Sequence, residues 1–216
     1  MTEGPLRTEV QGDGVVLLTL NRPDRRNALN AELRDLLADT LTRLTTDGSC
    51  RVVVLAGRGP TFCAGFDLDE IRSATSIETL FAEADAYHHA VHTFPKPIIA
   101  AIQGPAVAGG MDLALMCDMR IAGAGATFGQ PQVKAGIPAA FDLVASVVSE
   151  PVAREICLTG RIIGATEALS IGLVNRLAEG DDLMEETLAL ATEVASSPAS
   201  AAAKAGFLAG QPDLFG

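Results

Sequence analysis

The sequence predicts an α/β fold organised around a mostly parallel sheet. Short β-branched runs end in glycine, each leads through a loop into apolar positions at helical spacing, and the two signals alternate along the chain rather than segregate. With 216 residues, 48% hydrophobic and only 4% aromatic, the chain can bury one substantial aliphatic core and has little left for a second full domain.

After a short polar start, Val15-Val16-Leu17-Leu18-Thr19-Leu20 reads as a buried strand, bounded by Gly14 and by the turn formers Asn21 and Pro23. It delivers the chain to Arg22-Pro23-Asp24-Arg25-Arg26. Leu29, Leu33, Leu36, Leu37, Leu41 and Leu44 then recur at helical spacing, with Asn30 as cap and Gly48 as stop. Arg51-Val52-Val53-Val54-Leu55-Ala56, ended by Gly57 and Gly59-Pro60, is a second strand. Pro97-Ile98-Ile99-Ala100-Ala101-Ile102, ended by Gly104-Pro105, is a third. In such sheets ligands gather at the loops leaving the strands' carboxyl ends, so function is expected there. From about Ala165 the chain is Ala-rich and reads as helix, with a break near Ser197-Pro198; its closing residues carry no strong pattern.

The formal net charge of -11 argues against a nucleic-acid surface, because counterion release needs clustered Lys and Arg. An anionic ligand must therefore meet a local basic patch, for which Arg22, Arg25 and Arg26 are the candidates. Cys50, Cys63, Cys117 and Cys157 are widely separated and form no CxxC pair, which indicates neither zinc nor a disulfide framework. The first ten residues are polar rather than a charged-then-apolar leader, and no apolar run nears the ~18 residues of a membrane span. The expectation is a cytoplasmic protein without a membrane partner.

Two loops carry candidate chemistry. In Thr61-Phe62-Cys63-Ala64-Gly65-Phe66-Asp67-Leu68-Asp69-Glu70, Gly65 lets the backbone approach a ligand and leaves the Phe66 N–H free to point into a cleft. Asp67 can cap a short helix with Glu70 completing a capping box, so simple capping explains the acidic residues equally well. The second loop, Gln103-Gly104-Pro105-Ala106-Val107-Ala108-Gly109-Gly110-Met111-Asp112, leads into the apolar helix Leu113-Ala114-Leu115-Met116-Cys117. Adjacent glycines at a helix start expose unpaired N–H groups suited to developing negative charge, which suggests an oxyanion hole. Relief of crowding in a tight strand-to-helix turn is the competing explanation.

Together these segments resemble the enoyl-CoA hydratase/isomerase, or crotonase, superfamily. Asn21-Arg22-Pro23 with Arg26-Asn27-Ala28-Leu29, the loop from Phe62 to Leu68, and the stretch from Ile99-Ala100-Ala101-Ile102 to Cys117-Asp118 match it in order and spacing. So do Phe128-Gly129-Gln130-Pro131, Leu158-Thr159-Gly160, and Ala165 through Gly172-Leu173-Val174. The resemblance implies a crotonase-like spiral of ββα units over residues 1–190, followed by a shortened helical C-terminal tail over residues 191–216. It implies a homotrimer or hexamer acting on an acyl-CoA thioester, with coenzyme A part of the substrate and no separate cofactor. Carried over residue by residue, it makes the N–H groups of Phe66 and Gly109 an oxyanion hole for the thioester oxygen. Arg26 and Ala28 would meet the phosphate and adenine region of coenzyme A. Ala64 and Leu68 would flank the thioester, with Gly65, Asp67 and Gly110 in the same substrate-binding loops.

The chain departs from the family at its acid/base positions. Where hydratases carry two glutamates, it has Asp112 and Gln132. Gln132 can hydrogen-bond a water but cannot exchange a proton, so Asp112 acts alone or is helped. As a first-turn residue, Asp112 could also serve only to stabilise its helix. Asp142, in Pro138-Ala139-Ala140-Phe141-Asp142, is a candidate for the missing carboxylate, with surface placement the alternative. His88, His89 and His92 share a helix and read as surface residues rather than metal ligands, since no further ligand cluster supports zinc. The leading reading is an enoyl-CoA hydratase-like lyase; the alternatives are an enoyl-CoA double-bond isomerase and a noncatalytic acyl-CoA-binding accessory subunit. Serine hydrolysis lacks a G-x-S-x-G elbow. A Rossmann reading of Gly123-Ala124-Gly125-Ala126-Thr127-Phe128-Gly129 fails because the third glycine is displaced, which leaves a turn.

Overall fold

Period-two burial along the β-branched runs sets the layers. Val16, Leu18, Leu20, Val53 and Leu55 face one side and join the larger apolar cluster, while Val15, Leu17, Val52, Val54 and Ala56 face the other. The structure is a computed structural model that describes residues 4–211 and Leu214. The expectations for residues 1–3 and for 212, 213, 215 and 216 lie outside the described residues.

A hairpin opens the chain. β1 (Leu6–Gly12) pairs antiparallel with β2 (Val15–Leu20), through a turn in which Gly12, Asp13 and Gly14 all take positive φ. β1 is the exposed edge strand, which is why its residues looked only polar. α1 (Ala31–Thr46) follows, capped as expected by the Asn30 side chain accepting from the Leu33 N–H. Next come β3 (Val52–Gly57), α2 (Leu68–Ser73), α3 (Ile77–His92), β4 (Ile98–Ile102) and the short β5 (Pro105–Val107). α4 (Gly109–Leu115), β6 (Met119–Ala122), β7 (Thr127–Gly129), α5 (Phe141–Ala145), α6 (Glu150–Thr159) and β8 (Ile162–Gly164) continue the chain. It closes with α7 (Ala165–Ser170), β9 (Arg176–Leu177), α8 (Leu183–Ser196) and α9 (Ser200–Gly210).

The main sheet has the order β1-β2-β3-β4-β6-β9 and is parallel except at β1; a smaller sheet has the order β5-β7-β8. The α/β expectation with a mostly parallel sheet therefore holds. One face of the main sheet packs on α8 through Leu190, Ala191 and Ala195. The other meets Leu33, Leu37 and Leu41 of α1 and Tyr87 and Val91 of α3. Buried leucines such as Leu18, Leu33 and Leu37 are under 2% exposed, and each contributes roughly 1.5–3 kcal/mol relative to exposure. The helix α8 runs across residue 190, where sequence placed the start of a tail. The glycines after Ala108 do not precede a helix beginning at Leu113; they are its first turn.

Candidate active site

The loop before α2 and the first turn of α4 are held against each other by backbone. Cys63 N–H donates to Pro105 O, and Val107 N–H donates to Cys63 O. Leu29 N–H donates to Gly65 O, and Asp67 N–H returns to Leu29 O. These bonds use the groups on either side of Phe66, while the Phe66 N–H finds no acceptor among the described residues. Gly109, as the first residue of α4, likewise has no acceptor for its N–H. The two positions are neighbours: a Cβ on Gly65, whose φ is +88°, would lie 3.0 Å from the Gly109 N, and one on Gly109 would lie 2.9 Å from Phe66 Cδ2. Gly110 packs still closer, since a Cβ there would fall 2.1 Å from the Cys63 O. Ala108 pivots the chain into α4 at φ +51° and ψ -132°, a conformation costing about 1–3 kcal/mol in a non-glycine residue.

A cavity of about 420 Å³ opens beside this junction. Ala64, Phe66, Ala108, Gly109, Asp112 and Gln132 line it, together with the apolar Leu68, Ile71, Ile77, Phe81, Ile137 and Pro138. A larger cavity, about 640 Å³, lies elsewhere among His92, Arg120 and Phe207 and contains none of the candidate residues. The smaller one holds the chemistry.

Burial lifts the Asp112 carboxyl to about 7, against a smaller opposing effect of the hydrogen bond from Gln130. That bond is part of a chain: Gln132 Nε2 donates to Gln130 Oε1 at 2.6 Å, and Gln130 Nε2 donates to Asp112 Oδ1 at 2.7 Å. Its polarity leaves the Gln132 Oε1 as a buried acceptor without a partner among the described residues. The cavity is thus lined by two residues whose N–H groups are unpaired among the described residues, Phe66 and Gly109, by a carboxyl pushed up to about 7, and by Gln132, whose buried Oε1 has no partner among the described residues.

Several sequence expectations need revision. Of the three arginines, Arg22 pairs with Asp67 at 3.0 Å and Arg25 with Asp69 at 3.0 Å, so acids of the facing loop neutralise two members of the expected patch. Arg26 is exposed, at φ +51°, without an ion pair among the described residues, and its carbonyl holds the Ala64 N–H. Ala28 is buried beside it. Asp67 caps α2 as expected, but Glu70 does not complete a capping box. The Asp67 N–H is already bonded to Leu29 O, and Glu70 turns away to accept the Ala31 N–H at 2.7 Å and to pair with buried Arg34 at 2.8 Å. Asp142 is exposed in α5 and is not brought to the cavity. The histidines are not all at the surface either: His92 is buried and His88 lines the cavity, because α3 turns that side inward. Among the described residues no group of three or more His, Cys, Asp or Glu is arranged to hold a metal ion.

Sequence reasoning missed Gln130, Phe81 and Arg34, and took His88 for a surface residue. Gln130 stood in a quoted motif, two residues from Gln132, and that spacing was its only signal. Arg34 lies over the Phe66 ring at 5.2 Å, a cation–π contact that holds the ring in place.

The chain is similar to known proteins over most of its length. The family model described as Enoyl-CoA hydratase/isomerase matches residues 10–209. The 2,3-dehydroadipyl-CoA hydratase of Escherichia coli is 39% identical over 185 residues, covering 84% of this chain and 72% of that protein. The short-chain-enoyl-CoA hydratase of Clostridium acetobutylicum is 33% identical over 189 residues, covering 85% and 72%. The crystal structure of an enoyl-CoA hydratase from Mycobacterium smegmatis superposes with a TM-score of 0.91 at 34% identity, covering 97% of this chain and 85% of that one.

Proposed function

The chain belongs to the enoyl-CoA hydratase/isomerase family, and from that premise we propose that it adds water across the C2–C3 double bond of a 2-enoyl-CoA. The observation that carries this reading is that one cavity is lined by Phe66 and Gly109, whose N–H groups are unpaired among the described residues, by Asp112, and by Gln132, whose Oε1 lacks a partner among them. The thioester oxygen accepts hydrogen bonds from the two N–H groups. Water, held by donating one hydrogen to Gln132 Oε1, loses its other proton to the Asp112 carboxylate as its oxygen bonds to C3. The C2–C3 π pair becomes the C1–C2 double bond of the enolate and the carbonyl π pair moves onto the thioester oxygen, where each backbone donor contributes about 3–4 kcal/mol to the transition state. When the enolate collapses, C2 takes the proton from Asp112, which returns to its ionised form. Atoms and charge balance with one acid/base group, so Gln132 needs only to orient.

Arg26 and Ala28 contact coenzyme A, Ala64 and Leu68 flank the thioester, and Gly65, Asp67 and Gly110 shape the loops that hold it. Arg26 is supported in this role by its free, exposed guanidinium. Asp142 is set aside, being outside the cavity. No cofactor enters beyond the coenzyme A of the substrate. Assembly as a homotrimer or hexamer is supported by the exposure of Leu158, Ile162 and Phe207, and light scattering checks it. A cytoplasmic location belongs to the same proposal; among the described residues no helix is long and apolar enough to cross a membrane.

A single proton-exchanging group also suits double-bond isomerisation, in which Asp112 would take a proton from one carbon and return it to another. The test is a panel of 2-enoyl- and 3-enoyl-CoA thioesters followed by mass and double-bond position. Gain of water, reduced about 10²–10⁴-fold in Asp112→Asn, supports hydration. Bond migration without mass change assigns the isomerase, and binding without turnover leaves the accessory role.

A further inference from the structure

One face of α3 forms a wall of the cavity. Ile77, Phe81, Asp85 and His88 line it at intervals of four, four and three residues, the spacing that places side chains on one side of a helix. Ile77 and Phe81, with Ile71, supply hydrocarbon, and Phe81 meets Phe66 edge-on at 5.4 Å. The charges are one-sided. Among the described residues the ionisable ones lining the space are Asp85, His88 and Asp112, and no Lys or Arg lines it. Burial, with Arg34 nearby, pushes His88 down to about 4, so its ring is uncharged at neutral pH. Arg34 sits over the Phe66 ring, is itself buried, and is paired with Glu70 at 2.8 Å. Asp85 is exposed on the same wall and makes no ion pair among the described residues.

An acyl chain ending in a carboxylate would bring an anion into a space that offers carboxylates and no cation. We propose that this face of α3 selects uncharged acyl groups, and that Asp85 is the residue that rejects acyl chains terminating in a carboxylate. The inference rests on the acyl-CoA reading of the same cavity. The family scaffold does not impose such a choice, since the Escherichia coli relative is named for 2,3-dehydroadipyl-CoA, a six-carbon enoyl thioester with a terminal carboxylate. The choice belongs to the side chains on this wall.

The experiment compares kcat/KM for 2-hexenoyl-CoA and 2,3-dehydroadipyl-CoA, equal in chain length and different in terminal charge, alongside Kd for the saturated hexanoyl-CoA and adipyl-CoA. Hexenoyl-CoA and hexanoyl-CoA are expected to be favoured at least about tenfold, the scale of like-charge repulsion across a few ångströms of partly screened space. Asp85→Lys is expected to move both ratios at least about tenfold toward the carboxylate-bearing ligand, with Asp85→Asn in between. Ratios within about threefold of one in the wild type, or unmoved by Asp85→Lys, would overturn the proposal. Selective Kd values without turnover of either enoyl thioester would sink the hydratase reading while upholding the selection.

Discussion

At the scale of single residues, the chemistry turns on a carboxyl group displaced from its ordinary range. Asp112 titrates at about 7 because burial opposes its ionised form. If its carboxylate is the base that receives the proton of water, kcat/KM should fall about tenfold per pH unit below about 7, measured as a pH–rate profile with 2-enoyl-CoA. A flat profile from pH 5 to 8 would remove Asp112 from the proton transfer. The same displacement sets a stability trend of opposite sense to that of an ion-paired acid. Between about pH 4 and 7 the unfolded chain releases this proton while the folded chain keeps it, so stability is lost as pH rises through that window and is fully present below it. Asp112→Asn should therefore be more stable than wild type at pH 8, by roughly 1–4 kcal/mol, with the gap closing near pH 4. Urea unfolding at the two pH values reads this directly, and a wild type more stable at pH 8 would mean the carboxylate is well solvated. Asp112 and Gln132 were named through the family resemblance, whose register puts them in the Gly-Gly helix and just after Phe128-Gly129-Gln130-Pro131. Gln130 was not, since its part depends on which way its amide points, and His88 was not, since α3 could have turned either side inward.

Among elements, the decisive contact is between the loop before α2 and the first turn of α4. Gly65 has φ +88°, and a Cβ there would sit 3.0 Å from the Gly109 N and 3.1 Å from both the Ala108 Cβ and the Val107 O. Gly65→Ala should cost about 1–2 kcal/mol in backbone strain and about 10²-fold or more in kcat by displacing the donors. Gly172→Ala separates the two effects, because Gly172 has φ +77° with nothing within 4 Å of its Cβ position. It should show a similar stability loss with kcat retained. Equal kcat loss in both variants would mean that activity follows global stability and not the junction. The strands β2, β3 and β4 were legible from their β-branched runs, and α1 from its leucine spacing and Asn30 cap. The strands β5, β7 and β9 have only two or three residues and no readable period, while β1 is exposed on an edge and shows no apolar alternation. The start of α4 depends on the positive φ of Ala108, a conformation that propensity does not anticipate for alanine.

At the scale of the whole molecule, residues far apart in sequence close on one another through a single carboxylate. Asp118 Oδ2 accepts from Lys204 Nζ at 2.8 Å and from the Ile98 N–H at 2.7 Å, joining α9 to the start of β4. Lys204 is 3% exposed, and its ammonium lies 5.9 Å from the centre of the Phe94 ring, so this end of α9 is packed rather than trailing. Arg51 adds a second tie by donating to the Ala195 carbonyl at the end of α8 at 3.0 Å. Removing one partner of a buried pair typically costs about 3–5 kcal/mol, less where one member is partly exposed as Asp118 is. Lys204→Met should therefore lower global stability by about 2–4 kcal/mol, with a coupling of at least about 1 kcal/mol to Asp118→Asn in a double-mutant cycle. If α9 were a loosely attached tail, Lys204→Met would leave the urea midpoint unchanged and only speed proteolysis between α8 and α9. A shifted midpoint with measurable coupling would instead make α9 part of the cooperative unit that carries the sheet, and hence of the frame on which the Phe66 and Gly109 donors are held.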